Sequence, residues 1–456
     1  MMPTPPLPPL EGAWHLVREG AWHPGLAAHD PEPAANGTKG VQLPQPRKGA
    51  WHLFGKSARH LLAGALLALP SPAGAQTYPA PPDPAEDARV QMGPVSVRPT
   101  FILRDVGVDS NVFNESGTPQ QDFTVTAGAR VDVGVRFDRV QASYTSTYEY
   151  MYFQKFTSER GSNRGSEGRI DFLLGRVRPH VAASLIDSHE RPNTEIDARA
   201  HRRQSAYGGG VGILLFAHTS LTTSYRRSAA TYSDDDVFSG VRLADVLNTE
   251  TEMITGGLEL ELTPLTSLAF NVEQSEDRFT RTPGRDAETR RYGATVTFQP
   301  AALISGRAQL AYRDFRPRSL DVPEMSGLAA SLALAYSFRD QTRIAVTFDH
   351  DLRYSFADLT PYYLSTAGRV TITQRIHGPV DVQVLGGADR LEYEPRAGAA
   401  AAARGDQLRT VGGGVGYRIG DNARVAVNLE HTERSSPVEE RRYARRRIFG
   451  SLTYGF

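Results

Sequence analysis

The sequence predicts an all-β protein, a transmembrane antiparallel up-and-down β-barrel of about 18 strands with short periplasmic turns and longer extracellular loops. Three observations carry this. From Val95 to Phe456, stretches of roughly ten to fifteen residues alternate in period two, which marks strands because successive side chains point to opposite faces. The connections between these stretches alternate between short and long. No apolar run approaches the ~18 residues that a spanning helix needs, and mean hydropathy is −0.38, whereas barrel strands hide their lipid-facing residues by alternation.

Composition narrows the chemistry. The 456 residues carry 51 Lys+Arg against 51 Asp+Glu and no cysteine. That balance argues against a nucleic-acid partner, which needs a basic footprint. Without cysteine there is no disulfide framework, thiolate nucleophile or thiolate zinc site.

The N-terminal region divides into three segments before the barrel. Residues 1–55 are a Pro-rich, low-complexity leader with GAWH repeated around Trp14, Trp22 and Trp51, and they cannot bury a core. Residues 56–75 have the layout of a secretory signal peptide: cationic Lys56 and Arg59, an apolar run from Leu61 to Leu69, and small Ala73 and Ala75 before Gln76. Cleavage is expected between Ala75 and Gln76. No methionine occurs between Met2 and Met92, so this layout predicts translation starting nearer Leu53 at an alternative initiator codon, with a genuine disordered extension as the alternative. Residues 76–94 read as a Pro-rich periplasmic segment, and 95–456 as the outer-membrane barrel.

The strands are expected to centre, in order, near Thr100, Ala129, Ser146, Phe172, Ala183, Val211, Thr223, Gly257, Asn271, Ala294, Gln309, Leu332, Thr347, Thr371, Val384, Gly414, Val427 and Ser451. In the third, Val140, Ala142, Tyr144, Tyr148, Tyr150 and Tyr152 form an apolar face opposite Gln141, Ser143, Thr145, Thr147 and Glu149. In the thirteenth, Ile344, Val346, Phe348, Leu352 and Tyr354 oppose Arg343, Thr347, Asp349, Asp351 and Arg353. In the seventeenth, Val425, Val427 and Leu429 oppose Arg424, Asn428 and Glu430.

Tight turns are expected at Phe137 to Arg139, Ala217-His218, Thr263 to Leu265, Gln299 to Ala301, Arg339 to Gln341, His377 to Pro379 and Gly420 to Asn422. Longer links run from Asn114 to Gln121, Gln154 to Gly165, Arg191 to Arg203, Ser233 to Asn248, Thr280 to Ala287, Pro317 to Glu324, Glu394 to Gly405 and Ser435 to Tyr443. One short rim and one long rim are what an outer-membrane barrel shows. The last strand places Ile448, Leu452, Tyr454 and Phe456 on one face. It resembles the C-terminal signal by which such barrels are recognised for insertion, with Tyr454 and the terminal Phe456 as its aromatic marks.

The polar faces carry full charges. Glu149, Glu259, Glu261, Glu273, Arg307, Arg313, Arg343, Asp349, Asp351, Arg353, Arg424, Glu430, Arg445 and Arg447 are the expected pore-lining set, with Asp277 alongside. A dry interior could not hold so many charges unless they were paired or hydrated, whereas a barrel this wide encloses a water-filled lumen. Arginine supplies nearly all the bases, because Lys155 is the sole lysine after Lys56. Its planar fork suits carboxylates and sugar hydroxyls.

No catalytic, metal or cofactor site is expected. The sequence holds no HExxH and no GxSxG. Two GGGVG runs, Gly208–Gly212 and Gly412–Gly416, lack the Lys-Ser/Thr of a phosphate loop and sit within strand patterns, where glycine allows bends and close side-chain approach. The Asp234 to Asp236 cluster reads as a solvated loop tip, with calcium as the weaker alternative.

GVDSNVF from Gly107 to Phe113, DFTVTAGARVDVGVRF from Asp122, and RIAVTFDHDLRYSF from Arg343 to Phe356 resemble segments of the putative beta-barrel porin 2 family, over about residues 90–456. The resemblance implies a bacterial outer-membrane barrel, often associated with export of capsular or exopolysaccharide, and brings no catalytic residues. The expected function is therefore a non-enzymatic channel with a polar, charged lumen for polysaccharide export. A general diffusion porin and a plugged structural or surface-interaction barrel are the alternatives. Expected partners are outer-membrane lipid and lipopolysaccharide, the barrel-insertion machinery and periplasmic polysaccharide-export components.

Overall fold

The computed structural model describes residues 90–299, 302–339, 341–398, 404–420 and 422–455. Ala75, Gln76 and Phe456 therefore lie outside the described residues, as do the leader and signal segments.

Strands run in chain order as β1 (Val90–Met92), β2 (Val95–Asp109), β3 (Asp122–Phe137), β4 (Val140–Phe153), β5 (Gly161–Phe172), β6 (Val177–Glu190), β7 (Ala200–Phe216), β8 (Thr219–Tyr232), β9 (Val237–Phe238), β10 (Val241–Arg242) and β11 (Thr249–Thr263). They continue as β12 (Thr266–Phe279), β13 (Ala287–Phe298), β14 (Ile304–Pro317), β15 (Met325–Phe338), β16 (Thr342–Tyr354), β17 (Tyr362–His377), β18 (Val380–Glu394), β19 (Arg404–Ile419), β20 (Ala423–Ser435) and β21 (Tyr443–Gly455). Among the described residues, β2 to β8 and β11 to β21 pair antiparallel with their neighbours. Thr100 to Asp109 of β2 pair with Gly455 to Arg447 of β21, and this closes an 18-strand barrel. β1 extends the wall by pairing with Val95 to Val97. At an inter-strand spacing of about 4.8 Å and the usual tilt, eighteen strands give a backbone radius of roughly 18 Å.

Connections of two to five residues mark one rim and connections of seven to sixteen the other. The chain is apolar outside and polar inside. Ile254, Phe270, Leu310, Val384, Val427 and Ile448 are exposed, while Asp351, Asp381, Asp406, Arg313 and Arg434 are buried. That inversion fits hydrocarbon outside and water within.

Three local expectations are corrected. Phe172 ends its strand instead of centring it: β5 runs from Gly161, so the link after Gln154 ends at Arg160. Its GSNRGSEGR start offers no apolar alternation, and backbone pairing with β4 and β6 holds it extended. A four-residue turn, Leu173 to Arg176, and a loop, Ser355 to Pro361, were both unmarked in the sequence pattern. Leu352 and Tyr354, expected on the apolar outer face, instead turn into a buried cluster with Phe315, Val322 and Tyr362. Pairing between β15 and β16 stops at Ala330–His350, whereas β16 and β17 stay paired up to Tyr354–Tyr362. The end of this hairpin thus leaves the wall and leans over the lumen.

Candidate functional site: a charged lumen closed at its outer mouth

Register fixes which face each charge occupies. Antiparallel partners share a face, so one buried position propagates around the barrel. Arg291 pairs with Arg313 and with Glu273, Asp351 with Ser365, and Glu430 with both Gly412 and Arg447. Followed this way, Glu149, Glu259, Glu261, Glu273, Arg307, Arg313, Arg343, Asp349, Asp351, Arg353, Arg424, Glu430, Arg445 and Arg447 all lie on the inner face, with Asp277. Tyr454 lies on the outer face, opposite Phe101 and Ala423.

Inside, the charges meet across strands and, for Arg353 and Asp349, along one. Arg313 Nη1 donates to Asp351 Oδ1 at 2.7 Å, spanning from β14 to β16 past β15. Arg291 pairs with Glu273 at 3.1 Å, Arg353 with Asp349 at 2.7 Å, and Arg424 with Asp381 at 2.5 Å. Arg447 bridges Asp105 and Glu430, and Arg445 holds Asp109. Charge-assisted bonds of this kind offset part of the desolvation that the wall imposes.

Sequence alternation missed several of these partners. In β2, register shifts at Arg104 to Gly107 and a positive φ of 57° at Asp105 form a bulge that sends consecutive side chains, Arg104 and Asp105, into the lumen. Arg104 then reaches Glu149 at 2.8 Å and Glu190 at 3.2 Å. Asp406 and Arg434, paired at 2.6 Å and nearly inaccessible, sit in phase with Arg424 and Glu430, so extending the same parity finds them.

The glycine runs make room for this network. A Cβ on Gly416 would collide with Arg424 Nη2 and would meet Asp381 Oδ1 at 2.6 Å, and one on Gly210 would meet the Thr223 carbonyl at 2.5 Å. Asp234 pairs with Arg281, and the Asp236 carboxylate accepts the His201 amide. Among the described residues, no group of metal-ligating side chains is assembled.

The long loops fold inward. Ile196, Leu243, Leu247 and Phe356, from three different loops, pack into one buried cluster, and the second and third belong to the short helix α1 (Leu243–Leu247). Glu195 is fully buried at its edge. It accepts Ser355 Oγ–H at 2.6 Å and the Phe356 amide at 3.3 Å. Arg434 donates to Thr194 O and Asp197, and Arg441 to Glu195 O. Arg285, also buried, donates to Val246 O, Ser355 O and Pro361 O. Burial raises the Glu195 carboxyl to about 7 despite Ser355 and Arg441, and lowers the Arg285 guanidinium to about 10. At the other rim, Arg136 and Arg307 are exposed. Among the described residues, the inner face is thus accessible at the short-turn rim and packed beneath the loops.

A closed antiparallel barrel with an apolar exterior, a charged interior and loops at one rim defines a bacterial outer-membrane barrel of the porin type. The chain belongs to the putative beta-barrel porin 2 family, whose profile matches residues 83–456. No curated protein matches it. Among solved structures it is similar to a BenF-like porin from Pseudomonas fluorescens, at 11% identity over 79% of this chain and 99% of that one, with a TM-score of 0.45. It is also similar to the outer membrane protein OpdK from Pseudomonas aeruginosa, at 11% identity, the same coverages and a TM-score of 0.43. The FrpB iron transporter from Neisseria meningitidis is similar at 12% identity over 75% of this chain, with a TM-score of 0.38; the chain spans 62% of that protein's length.

Proposed function

We propose that this protein is a channel for polar solutes whose outer mouth is gated by its own loops, and that its cargo is an exported capsular or extracellular polysaccharide. The observation that supports a channel is the lumen: guanidinium and carboxylate groups line it from the exposed Arg307 to the buried Arg313–Asp351 pair. Such a wall offers hydroxyl-bearing cargo donors and acceptors in turn, and it offers apolar cargo nothing. Family membership supports polysaccharide as the cargo.

Planar-bilayer recording tests the channel. The refolded chain is expected to show rare, brief openings, and removal of Asn193–Asp197 to give a steady open conductance. A silent deletion variant, inserted and folded, would remove the channel reading. Loss of surface polysaccharide in a deletion strain, restored by the gene, tests the cargo, and unchanged secretion would leave a general solute channel. The second reading, a plugged surface-interaction barrel, is favoured by the dry packing of Ile196, Leu243 and Phe356 across the mouth. It predicts silence from both chains.

A further inference from the structure

Beneath the inward loop Arg191 to Arg199, a cavity of about 220 Å³ lies between the loop and the loop-side ends of β2, β3, β4, β6 and β21. At ~30 Å³ per liquid water it has the volume of about seven waters, room for one sugar-sized molecule. Five guanidinia reach its lining, those of Arg104, Arg191, Arg199, Arg445 and Arg447, against three carboxylates, Asp105, Asp109 and Glu190.

Four of the five arginines are already matched. Arg104 holds Asp105, Glu149 and Glu190; Arg447 holds Asp105; Arg445 holds Asp109; and Arg199 holds Glu159 at 2.8 Å while stacked over Phe153. Arg191 differs. Its Nε donates to Asp197 O and its Nη2 to Val112 O, both at 2.6 Å, and among the described residues no carboxylate pairs with it. The nearby Asp197 carboxylate is engaged by Arg434. Two carbonyls thus fix a fork at the cavity wall with its charge uncompensated. Burial and the neighbouring guanidinia of Arg445 and Arg199 push it down to about 9, the crowding that a bound anion relieves.

We propose that this cavity is a binding site for a single carboxylate-bearing sugar residue, with Arg191 as its carboxylate fork. A monoanion suits the site better than a phosphate dianion, because four of the five guanidinia are already matched by carboxylates and Arg191 alone leaves one positive charge over. The lining carboxylates accept hydrogen bonds from ring hydroxyls, which a sugar presents around its ring whereas the phosphate dianion has a single O–H to donate. The site lies on the inner side of the loop closure, where a polymer unit would sit before the mouth opens. In this respect the inference rests on the channel reading, and it adds the class of sugar.

The test is calorimetric titration of the detergent-solubilised full chain with glucuronate, and in parallel with glucose and inorganic phosphate. Glucuronate is expected to bind saturably and glucose not at all, with phosphate at least tenfold weaker than glucuronate. Arg191→Gln is expected to weaken glucuronate by tenfold or more, while Arg139→Gln, on the exposed short turn between β3 and β4, leaves it unchanged. Should Arg191→Gln fail to show the heat-shifted gel mobility of a folded barrel, Arg199→Gln, which removes a second positive charge from the lining, is expected to weaken binding at least threefold. No saturable glucuronate binding, equal binding by the folded variants, or phosphate binding as tight as glucuronate overturns the proposal. The titration needs no conductance. Binding by a silent barrel therefore removes only the channel reading, and conductance without binding removes only this site.

Discussion

Glu195 shows how one residue ties the loops to each other. Its carboxyl is fully buried, and it joins the loop after β6 to the loop after β16 through Ser355 and the Phe356 amide. The charged groups that bear on it are Arg441, Arg404 and Arg285, and the phenols of Tyr232, Tyr363 and Tyr393 lie close by. Burial raises its pKa from the ordinary 4.5 to about 7, so the closed mouth holds a proton that an opened, solvated loop would release. Between those values the closed state binds more protons than the open one, and its stability falls as pH rises. The closure is thus strongest below pH 4.5 and weakens up to about pH 7, by roughly 3 kcal/mol, beyond which no further loss comes from this group. The protection of residues 191–199 against hydrogen exchange, corrected for the intrinsic pH dependence of amide exchange, should fall about a hundredfold over that window in the wild type. In Glu195→Gln it should be nearly flat, and an equally steep profile in that variant would show that another group sets the pH dependence.

At the scale of elements, the decisive unit is the β16–β17 hairpin, which leaves the wall above Ala330–His350 and is clasped by Arg285. Arg285→Ala orphans up to three carbonyls, at about 1–3 kcal/mol for each that stays dry. The expected outcome is faster proteolysis between Phe356 and Thr360 without loss of the folded-barrel gel shift, and unchanged cleavage would mean that the aromatic packing alone holds the hairpin. This hairpin also marks where sequence periodicity stops being informative. Alternation reports two faces, and it located most strands because lipid and water lie on opposite sides of them. It could not report that Leu352 and Tyr354 meet Phe315 instead of lipid, because an apolar loop cluster and hydrocarbon select the same side chains. It passed over Arg104 and Asp105 because a bulge breaks the period, and over the first half of β5 because GSNRGSEGR contrasts no faces. Glu195, Arg191 and Arg285 lie on loops, where no period exists, and only the closed barrel brings them together.

The whole molecule is ordered by its two solvents, and a one-residue step along a strand exchanges one for the other. Leu310 and Gln309 test this at the middle of β14. Leu310 is 56% exposed on the outer face opposite Ala294 and Ala330, and Gln309 faces inward opposite Thr295 and Ser331. An arginine at the lipid-facing midplane costs about 2–4 kcal/mol, whereas one facing the lumen stays hydrated beside existing charges. Leu310→Arg should therefore lower the urea midpoint for folding into lipid vesicles, read by the heat-shifted mobility on gels. Gln309→Arg should stay within about 1 kcal/mol of wild type. Tryptophan fluorescence cannot serve, since all three tryptophans precede residue 55. Equal losses at both positions would mean that the lumen is too dry for added charge, and a larger loss at Gln309 would invert the assigned faces. With the expected order, the balance of 51 bases and 51 acids becomes intelligible, because much of the charge lies on the watered face of the wall, where guanidinia and carboxylates meet across strands as in Arg313–Asp351 and Arg434–Asp406.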